Sequence, residues 1–396
     1  MTRKKSSYNI AVIGAKGIPP KQGGIEHHCA ELYPRIAKNG HRIDLYARSS
    51  YTDCSWYHSY LSKGVRVISL PSLCLPGIDA LMAAVFGAIA VTLRRYDIVH
   101  FHAIGLALFC WLPRLFTSAK VVVTCHGLDW QRSKWGKLSS LLIYLGERAA
   151  VSYAHEIVVV SEALQTYFWK VYGRETSYIP NAPAAFSKSD PDLQYVRSLD
   201  LQPKRYVVFV GRLVPEKAPD LLIQAFQALA PADWKLVLVG GHSDTSAYMA
   251  QLNQLAENNE NISFTGQLLG SRLAEVIQQA GLFVLPSNLE GMPISLMEAM
   301  QEGIPVIASD IQPHQELVGE NRGVLFQSGN LQSCVQALRW AIAHPEEMKR
   351  KAKQAKNHIR LNYSWDQSAI DTVCLYQFLV PTCDPILIER DVYTFQ

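Results

Sequence analysis

The chain predicts an α/β protein made of two doubly wound parallel sheets, one after the other, facing each other across a cleft. Three observations carry this. Short apolar runs, of the kind buried on both faces of a parallel sheet, recur along the chain with helix-length amphipathic segments between them. The pattern lapses over residues 184–204 and then restarts. A length of 396 residues suits two such units.

The first unit begins with the apolar strand Tyr8–Gly14 and the glycine-rich segment Gly14-Ala-Lys-Gly17-Ile-Pro-Pro-Lys-Gln-Gly23-Gly24. A helix over Ile25–Lys38 follows, stopped by Asn39-Gly40. Further strands are expected at Arg42–Ala47, Val65–Leu70, Ile98–His102, Val121–Cys125 and Ile157–Ser161, with helices between most of them. Tyr178-Ile-Pro-Asn-Ala-Pro183 closes this unit. Residues 184–204 show no apolar periodicity, two charged clusters and two prolines, as a linker would.

The second unit alternates strand Tyr206–Val210, helix Pro219–Leu229, strand Lys235–Val239, helix Ser246–Asn258 and strand Ile262–Thr265. Helix Ser271–Gln279, strand Leu282–Leu285, the stretch Leu285–Ser309 and strand Val306–Ala308 follow, with a last short strand at Val324–Phe326. Gln332–Ala343, Glu346–Leu361 and Trp365–Leu379 are expected as closing helices, and Pro381–Gln396 shows no clear pattern. The expected organisation is a first domain over 1–183, a linker over 184–204, a second domain over 205–362 and a terminal helix over 363–380.

Composition narrows the function classes. Eight cysteines without any C-x-x-C pair, several inside apolar runs, point to buried reduced thiols rather than a disulfide frame or a zinc site. No run of histidines and carboxylates has metal-ligand spacing, so no metal is expected. Residues 1–183 carry a net charge of +10 and residues 184–396 carry −6. A basic front half suits phosphate groups or a membrane surface, and an ordinary solvated surface would look the same. The most apolar stretches, Ala80–Leu93 and Ile104–Phe116, fall short of the roughly 20 residues that span a bilayer. They suit core helices, with Arg94, Arg95 and Arg114 at their ends leaving a membrane-surface contact open.

Two carboxylates, Glu290 and Glu298, stand eight residues apart within LPSNLEGMPISLMEAMQEGIPVIAS, across a turn and a helix. Pro293 is expected in the first turn of that helix, where a missing N–H costs nothing. Paired carboxylates invite a glycosidase reading. A helix-borne Glu298 near a positive helix end suits a fixed, ionised acceptor for a ribose diol better. Gly211-Arg212-Leu-Val-Pro-Glu-Lys217 ends the first strand of the second sheet, where an Arg and a Lys would hold a diphosphate as a fork and a point charge. Gly240-Gly241 lies after the next strand. In the first unit, His126 terminates a strand beside a glycine, at a place where it can meet a sugar hydroxyl; a satisfied structural histidine is the alternative. Asp129, Arg132 and Trp135 follow it and would shape an acceptor pocket. His27 and His28 are poorer candidates, because adjacent residues point to different helix faces. Asp44 sits mid-strand and Gly14-x-x-Gly17 is an incomplete dinucleotide fingerprint.

Together these segments resemble the retaining GT-B glycosyltransferases of family four, over residues 9 to 379. The resemblance rests on E-G-M-P-I-S-L-M-E-A-M, on G-R-L-V-P-E-K and on the loop Gly23-Gly24-Ile-Glu26. The stretches A-K-G-I-P-P-K-Q-G-G-I-E and C-H-G-L-D-W-Q-R are similar to a bacterial subgroup that includes rhamnosyltransferases of polysaccharide assembly. The resemblance implies two Rossmann-like domains, with Arg212 and Lys217 on the donor diphosphate and Glu298 on the ribose. Glu290 and the backbone of Gly291, Met292 and Pro293 would meet the donor sugar. Gly24, Gly211 and Gly241 would bring backbone near the phosphates, Gln267-Leu268 would lie beside the base, and His126 would sit near the reacting carbon. Glu26, Asp129, Trp130 and Arg132 are the acceptor-side candidates, and Trp365–Leu379 resembles the helix that crosses back to the first domain.

The expected activity is transfer of a sugar from a nucleotide diphosphate to a saccharide or lipid-linked saccharide, without a bound metal or cofactor. The setting would be cytoplasmic, at the inner face of the plasma membrane if the basic half touches lipid. No nucleic acid partner is expected. A sugar-nucleotide epimerase, a glycan phosphorylase or a silent binding protein of the same fold are the alternatives.

Overall fold

The computed structural model describes residues 7–20, 23–52, 54–72, 78–132, 135–241 and 246–380. Lys21 and Gln22 of the glycine-rich segment, Cys74, Cys383 and the unpatterned stretch 381–396 lie outside the described residues.

The first sheet has eight strands: β1 (Asn9–Ile13), β2 (Arg42–Arg48), β3 (Ser59–Ser62), β4 (Val65–Leu70), β5 (Ile98–His102), β6 (Lys120–Cys125), β7 (Glu156–Val159) and β8 (Ser177–Tyr178). Their spatial order is β3-β4-β2-β1-β5-β6-β7-β8, parallel throughout except for β3. The second sheet has six: β9 (Tyr206–Val210), β10 (Lys235–Val239), β11 (Ile262–Gly266), β12 (Leu282–Leu285), β13 (Val306–Ser309) and β14 (Val324–Phe326). Its order is β11-β10-β9-β12-β13-β14, all parallel. The chain winds outward from β9 to β11, then returns to β12 on the other side of β9. A crevice therefore opens between the loops after β9 and β12, where α/β sheets bind ligands. In the first sheet the same reversal falls between β1 and β5.

Helices cover both faces. The first unit carries α1 (Gly24–Lys38), α2 (Ile78–Thr92), α3 (Trp111–Phe116), α4 (Lys137–Tyr153) and α5 (Glu162–Tyr172). After α6 (Gln194–Ser198), the second carries α7 (Pro219–Leu229), α8 (Ser246–Ala256), α9 (Gly270–Gln278), α10 (Ile294–Glu302), α11 (Gln312–Val318), α12 (Leu331–Ala343) and α13 (Pro345–Asn362). The last helix, α14 (Trp365–Leu379), packs on α1 of the first unit. Arg35 Nε donates to Asp366 Oδ1 at 2.7 Å, and Ser368 Oγ donates to the Pro180 carbonyl at 2.9 Å, fastening that helix across the two units.

Four expectations change. Residues 184–204 contain α6, whose Val196 is buried and donates its N–H to Glu275 of α9 at 2.8 Å. Ile104–Phe116 is not one helix: a 3-10 turn over Ile104–Phe109 precedes α3. Pro113 has no N–H to continue an α-helical ladder from Phe109, and it is tolerated only in the first turn of α3. The antiparallel β3 and the short α11 carry no periodic signal of their own. Pro293 is the cap of α10 with an extended φ of −79° and ψ of 102°, not its first helical residue.

Asp44 is structural. It accepts Arg66 Nε at 2.7 Å and the Tyr96 hydroxyl at 2.7 Å, at the end of the sheet away from the loops described next.

Candidate functional site

The loops after β9 and β12 meet through an ion pair. Lys217 Nζ donates to Glu290 Oε1 at 2.6 Å, with side chains only 14% and 12% exposed. Ser287 Oγ adds a second donor to the same oxygen at 2.8 Å. Burial opposes the charge of Glu290, but Lys217, buried His314 and Ser287 together hold its carboxyl below the usual range. His314 is fully buried beside this pair; burial depresses it to about 4, and its Nε2 has no hydrogen-bond partner among the described residues. Lys217 and Glu290 thus lie within bonding distance of each other, where the resemblance gives them separate partners.

Arg212 has a different environment. Among the described residues no carboxylate lies within ion-pair distance of it, and its charge is disfavoured first by burial and then by Arg132. Arg132 comes from the loop after β6, where it binds Asp129 at 2.7 Å and approaches buried Glu216 of the other unit at 3.8 Å. Lys16, in the loop after β1, also feels Arg212: burial, with Arg48 and Arg212 beside it, lowers its pKa against the pull of Glu26. Lys16 Nζ lies over the Tyr51 ring at 4.6 Å. Two arginines and a lysine from opposite units therefore converge on the cleft.

Gly240 and Gly291 show how tightly the loops pack. A Cβ on Gly240 would lie 1.8 Å from the Gly211 carbonyl oxygen. A Cβ on Gly291 would lie 1.9 Å from the carbonyl oxygen of His126, across the cleft. Asn181 reinforces that junction, donating Nδ2 to the Met292 carbonyl at 3.3 Å and accepting from His28 Nδ1 at 2.8 Å.

His28, a poorer candidate on sequence, is buried here beside buried His102 and partly exposed His126, and ring nitrogens of the three lie within 4.8 Å of one another. Linear spacing conceals this cluster, because its members come from α1, β5 and the loop after β6. Most of its nitrogens already have partners: His102 Nδ1 lies 2.9 Å from His126 Nε2, and His102 Nε2 lies 2.5 Å from the Tyr33 hydroxyl. His28 Nε2 alone is buried without a hydrogen-bond partner among the described residues.

Glu298 departs from expectation. Its carboxyl is surrounded by protein beside Ala184, whose N–H it accepts, and burial pushes its pKa up to about 8. The helix end that would favour an ionised oxygen is a full turn away, and its field falls off within that turn.

The remaining candidates divide. Gly24 opens α1 with free space around it, as a backbone approached by a ligand requires. Glu26 is buried and turns inward, accepting the Lys16 N–H at 3.0 Å, so it braces the glycine-rich loop instead of offering a carboxylate to the cleft. Trp130 is tied back by its indole N–H to buried Glu147 at 3.0 Å. Gln267 is exposed and Leu268 buried at the end of β11. Gly241 accepts the Leu213 N–H at 3.1 Å, pinning the Arg212 loop.

Residues 195–358 match the model described as glycosyl transferases group 1, and residues 23–182 match the glycosyl transferase 4-like domain. The chain is built of a glycosyl transferase 4-like domain followed by a group 1 glycosyltransferase domain. A D-inositol 3-phosphate glycosyltransferase of Gordonia bronchialis is 25% identical over 384 residues, covering 87% of this chain and 82% of the relative. A UDP-Gal:alpha-D-GlcNAc-diphosphoundecaprenol alpha-1,3-galactosyltransferase of Escherichia coli is 26% identical over 356 residues, covering 84% and 88%. Among solved structures, a sucrose-phosphate synthase from Thermosynechococcus elongatus superposes with a TM-score of 0.81 at 22% identity, covering 94% of this chain and 99% of that one. Anabaena HepE in complex with UDP and glucose gives 0.77 at 18% identity, covering 94% and 100%. These likenesses establish the GT-B fold.

Lys16, Asn181, Glu216, Ser287 and His314 escaped the sequence reading. Lys16 had a signal, as the cation of a glycine-rich loop after a first strand; Asn181 and Glu216 meet partners far off in the chain, and Ser287 and His314 are single polar residues whose local bonds leave no pattern.

The raised pKa of Glu298 has a measurable consequence. Between about 4.5, its ordinary value, and about 8, the folded chain holds a proton that the unfolded chain has lost. This group's contribution to stability therefore falls as pH rises through that window and levels off above it. Glu298→Gln is expected to flatten this part of the profile and to raise the unfolding midpoint at pH 8. Chemical denaturation of both proteins from pH 5 to 9 checks this, and parallel profiles would contradict it.

Proposed function

We propose that the protein is a retaining glycosyltransferase that moves a hexosyl or deoxyhexosyl group, a rhamnosyl group among the candidates, from a nucleotide-diphosphate sugar to a saccharide or lipid-linked saccharide during cell-surface polysaccharide synthesis. The observation that carries this reading is Arg212, a half-buried guanidinium facing Arg132 and Lys16 with no paired carboxylate among the described residues. Such a group is costly unless an anion completes it, and a diphosphate offers two charges with fork-compatible oxygens.

Cleavage at the anomeric carbon builds negative charge on the departing diphosphate and positive charge on the sugar. Arg212, Lys16 and the amides at Gly24 meet the former. Lys217 stands between the leaving group and Glu290, so the carboxylate that holds the lysine also faces the sugar end with Gly291, Met292 and Pro293. Glu298 takes the ribose diol, exchanging its bond from Ala184 for two hydroxyls. In this reading the acceptor attacks the face vacated by the leaving group, and a phosphate oxygen takes its proton. The cations of the cleft supply the charge that a metal ion supplies in other sites, so none is required. Gln267 and Leu268 border the base, and Asp129, Trp130 and Arg132 the acceptor side.

Relatives that act on diphosphoundecaprenol-linked GlcNAc and on phosphatidylinositol monomannoside support a lipid-linked acceptor. Among the described residues no helix is long and apolar enough to cross a membrane. Ile89, Leu93, Leu115, Phe116, Leu138 and Leu141 are exposed on or beside the adjacent α2, α3 and α4, with Arg94, Arg95 and Arg114 among them. This face would rest on anionic lipid at the cytoplasmic surface.

Arg212→Ala is expected to lower turnover with the true donor by ~100-fold or more, while the unfolding midpoint stays unchanged or rises because a half-buried charge is removed. Thermal-shift screening against UDP-, GDP- and dTDP-sugars identifies the donor, and proton NMR of the product tests retention. Unchanged turnover in the variant would overturn the phosphate assignment. Consumption of the donor without acceptor, giving an epimer, would favour the epimerase alternative. For the membrane face, Leu115→Ser with Phe116→Ser is expected to weaken sedimentation with phosphatidylglycerol vesicles by ~10-fold or more, and equal sedimentation would contradict the contact.

A further inference from the structure

A line of five buried side chains runs from inside the first unit to the partly exposed His126 at the cleft. Thr124 Oγ1 lies 2.7 Å from His100 Nε2, and His100 Nδ1 lies 2.6 Å from the Tyr376 hydroxyl. The hydroxyls of Tyr376 and Tyr33 interact with each other. Tyr33 then lies 2.5 Å from His102 Nε2, and His102 Nδ1 lies 2.9 Å from His126 Nε2. The strands place these groups by alternation: His100 and His102 share one face of β5, and Thr124 stands beside them on β6 with His126 just beyond its end. Tyr33 comes from α1 and Tyr376 from α14. Thr124, His100, Tyr376, Tyr33 and His102 are all essentially without solvent contact.

Burial depresses His100 to about 3 and drives His102 and His126 well below their ordinary range, so all three imidazoles are neutral at physiological pH. A neutral imidazole has one N–H and one lone pair, and a hydroxyl shared between two partners donates to one and accepts from the other. A line of such groups has only two proton arrangements, with every donor pointing the same way. If donors pointed toward Thr124, its buried hydroxyl proton would have no acceptor among the described residues. If they point toward the cleft, Thr124 donates to His100, His100 to Tyr376, Tyr376 to Tyr33, Tyr33 to His102 and His102 to His126. Every buried proton is then used, as buried polar groups require.

We propose that this line fixes His126 in the tautomer that carries its proton on Nδ1, so that the histidine enters the cleft as a hydrogen-bond donor. Tyr33 and His102 are positioning residues that act through His126. That the donor meets a sugar hydroxyl rests on the transferase reading above; the tautomer itself does not. A donor at this point selects a ligand oxygen that can accept.

The test is two-bond proton–nitrogen NMR of the ligand-free, full-length protein labelled with 15N-histidine, with His126 assigned from the spectrum of His126→Gln. In the native protein the His126 proton is expected on Nδ1. Tyr33→Phe removes the donor to His102 and should give a mixture of both tautomers at His126. Thr124→Val should also erode the preference, and Thr124→Ser should restore it. Tyr376→Phe should leave the proton on Nδ1, because Tyr33 then has only His102 to donate to. A native proton on Nε2, or an unchanged His126 in both Tyr33→Phe and Thr124→Val, overturns the proposal. Tyr33→Phe should also weaken binding of the nucleotide sugar ~5-fold while binding of the bare nucleotide diphosphate changes less than ~2-fold. If the tautomer behaves as expected but no nucleotide sugar binds, the proton line stands and the transferase reading fails.

Discussion

Gly291 and His126 meet backbone to backbone across the cleft, with room for no side chain between them. Much of the site depends on that approach. It brings the loop after β12 in the second unit against the loop after β6 in the first, so that Glu290 and His126 border one space. Asn181 braces the junction from the side through His28 and the Met292 carbonyl. The α14 helix closes the assembly from behind, packed on α1 and fastened at Asp366 and Ser368. A glycine at 291 thus decides how near the two units come.

Charge completes what geometry begins. Lys217 is neutralised by Glu290 and Arg132 by Asp129, so these pairs are stable without a ligand. Among the described residues Arg212 has no such pair, and only Glu216, Asp129 and Glu290 at longer range offset its charge. Glu298 carries the opposite strain, a carboxyl held protonated near neutrality by its surroundings. A guanidinium without an ion-pair partner among the described residues and a carboxyl held protonated are perturbed groups of the kind that cluster at functional sites.

Much of this was legible in the residues. Runs such as Tyr206–Val210 and Leu282–Leu285 are apolar on both faces, which only a covered parallel strand tolerates, and the elements recovered there match the structure. Arg212, Lys217 and Glu290 stand out because each lies in the loop after a strand, so the chain itself sets their place, and Glu298 follows in the helix that this loop enters. The histidine line did not stand out. His100 and His102 sit inside an apolar strand and look like satisfied core residues, and their meaning depends on Tyr33 and Tyr376, which lie 69 and 276 residues away along the chain. The sign of the Glu298 shift was equally hidden, because burial of its carboxyl outweighs both the Ala184 N–H and a helix end that sequence alone suggests.

Hydrogen–deuterium exchange of Gly291→Ala against the native protein tests the central claim most directly, since it needs no substrate. A Cβ 1.9 Å from the His126 oxygen must separate the loops. The account predicts faster exchange in both segments 126–132 and 288–293, from the two units together, with the strands of both sheets unchanged. Native-like exchange in both segments would contradict it, and the shared cleft would have to be described anew.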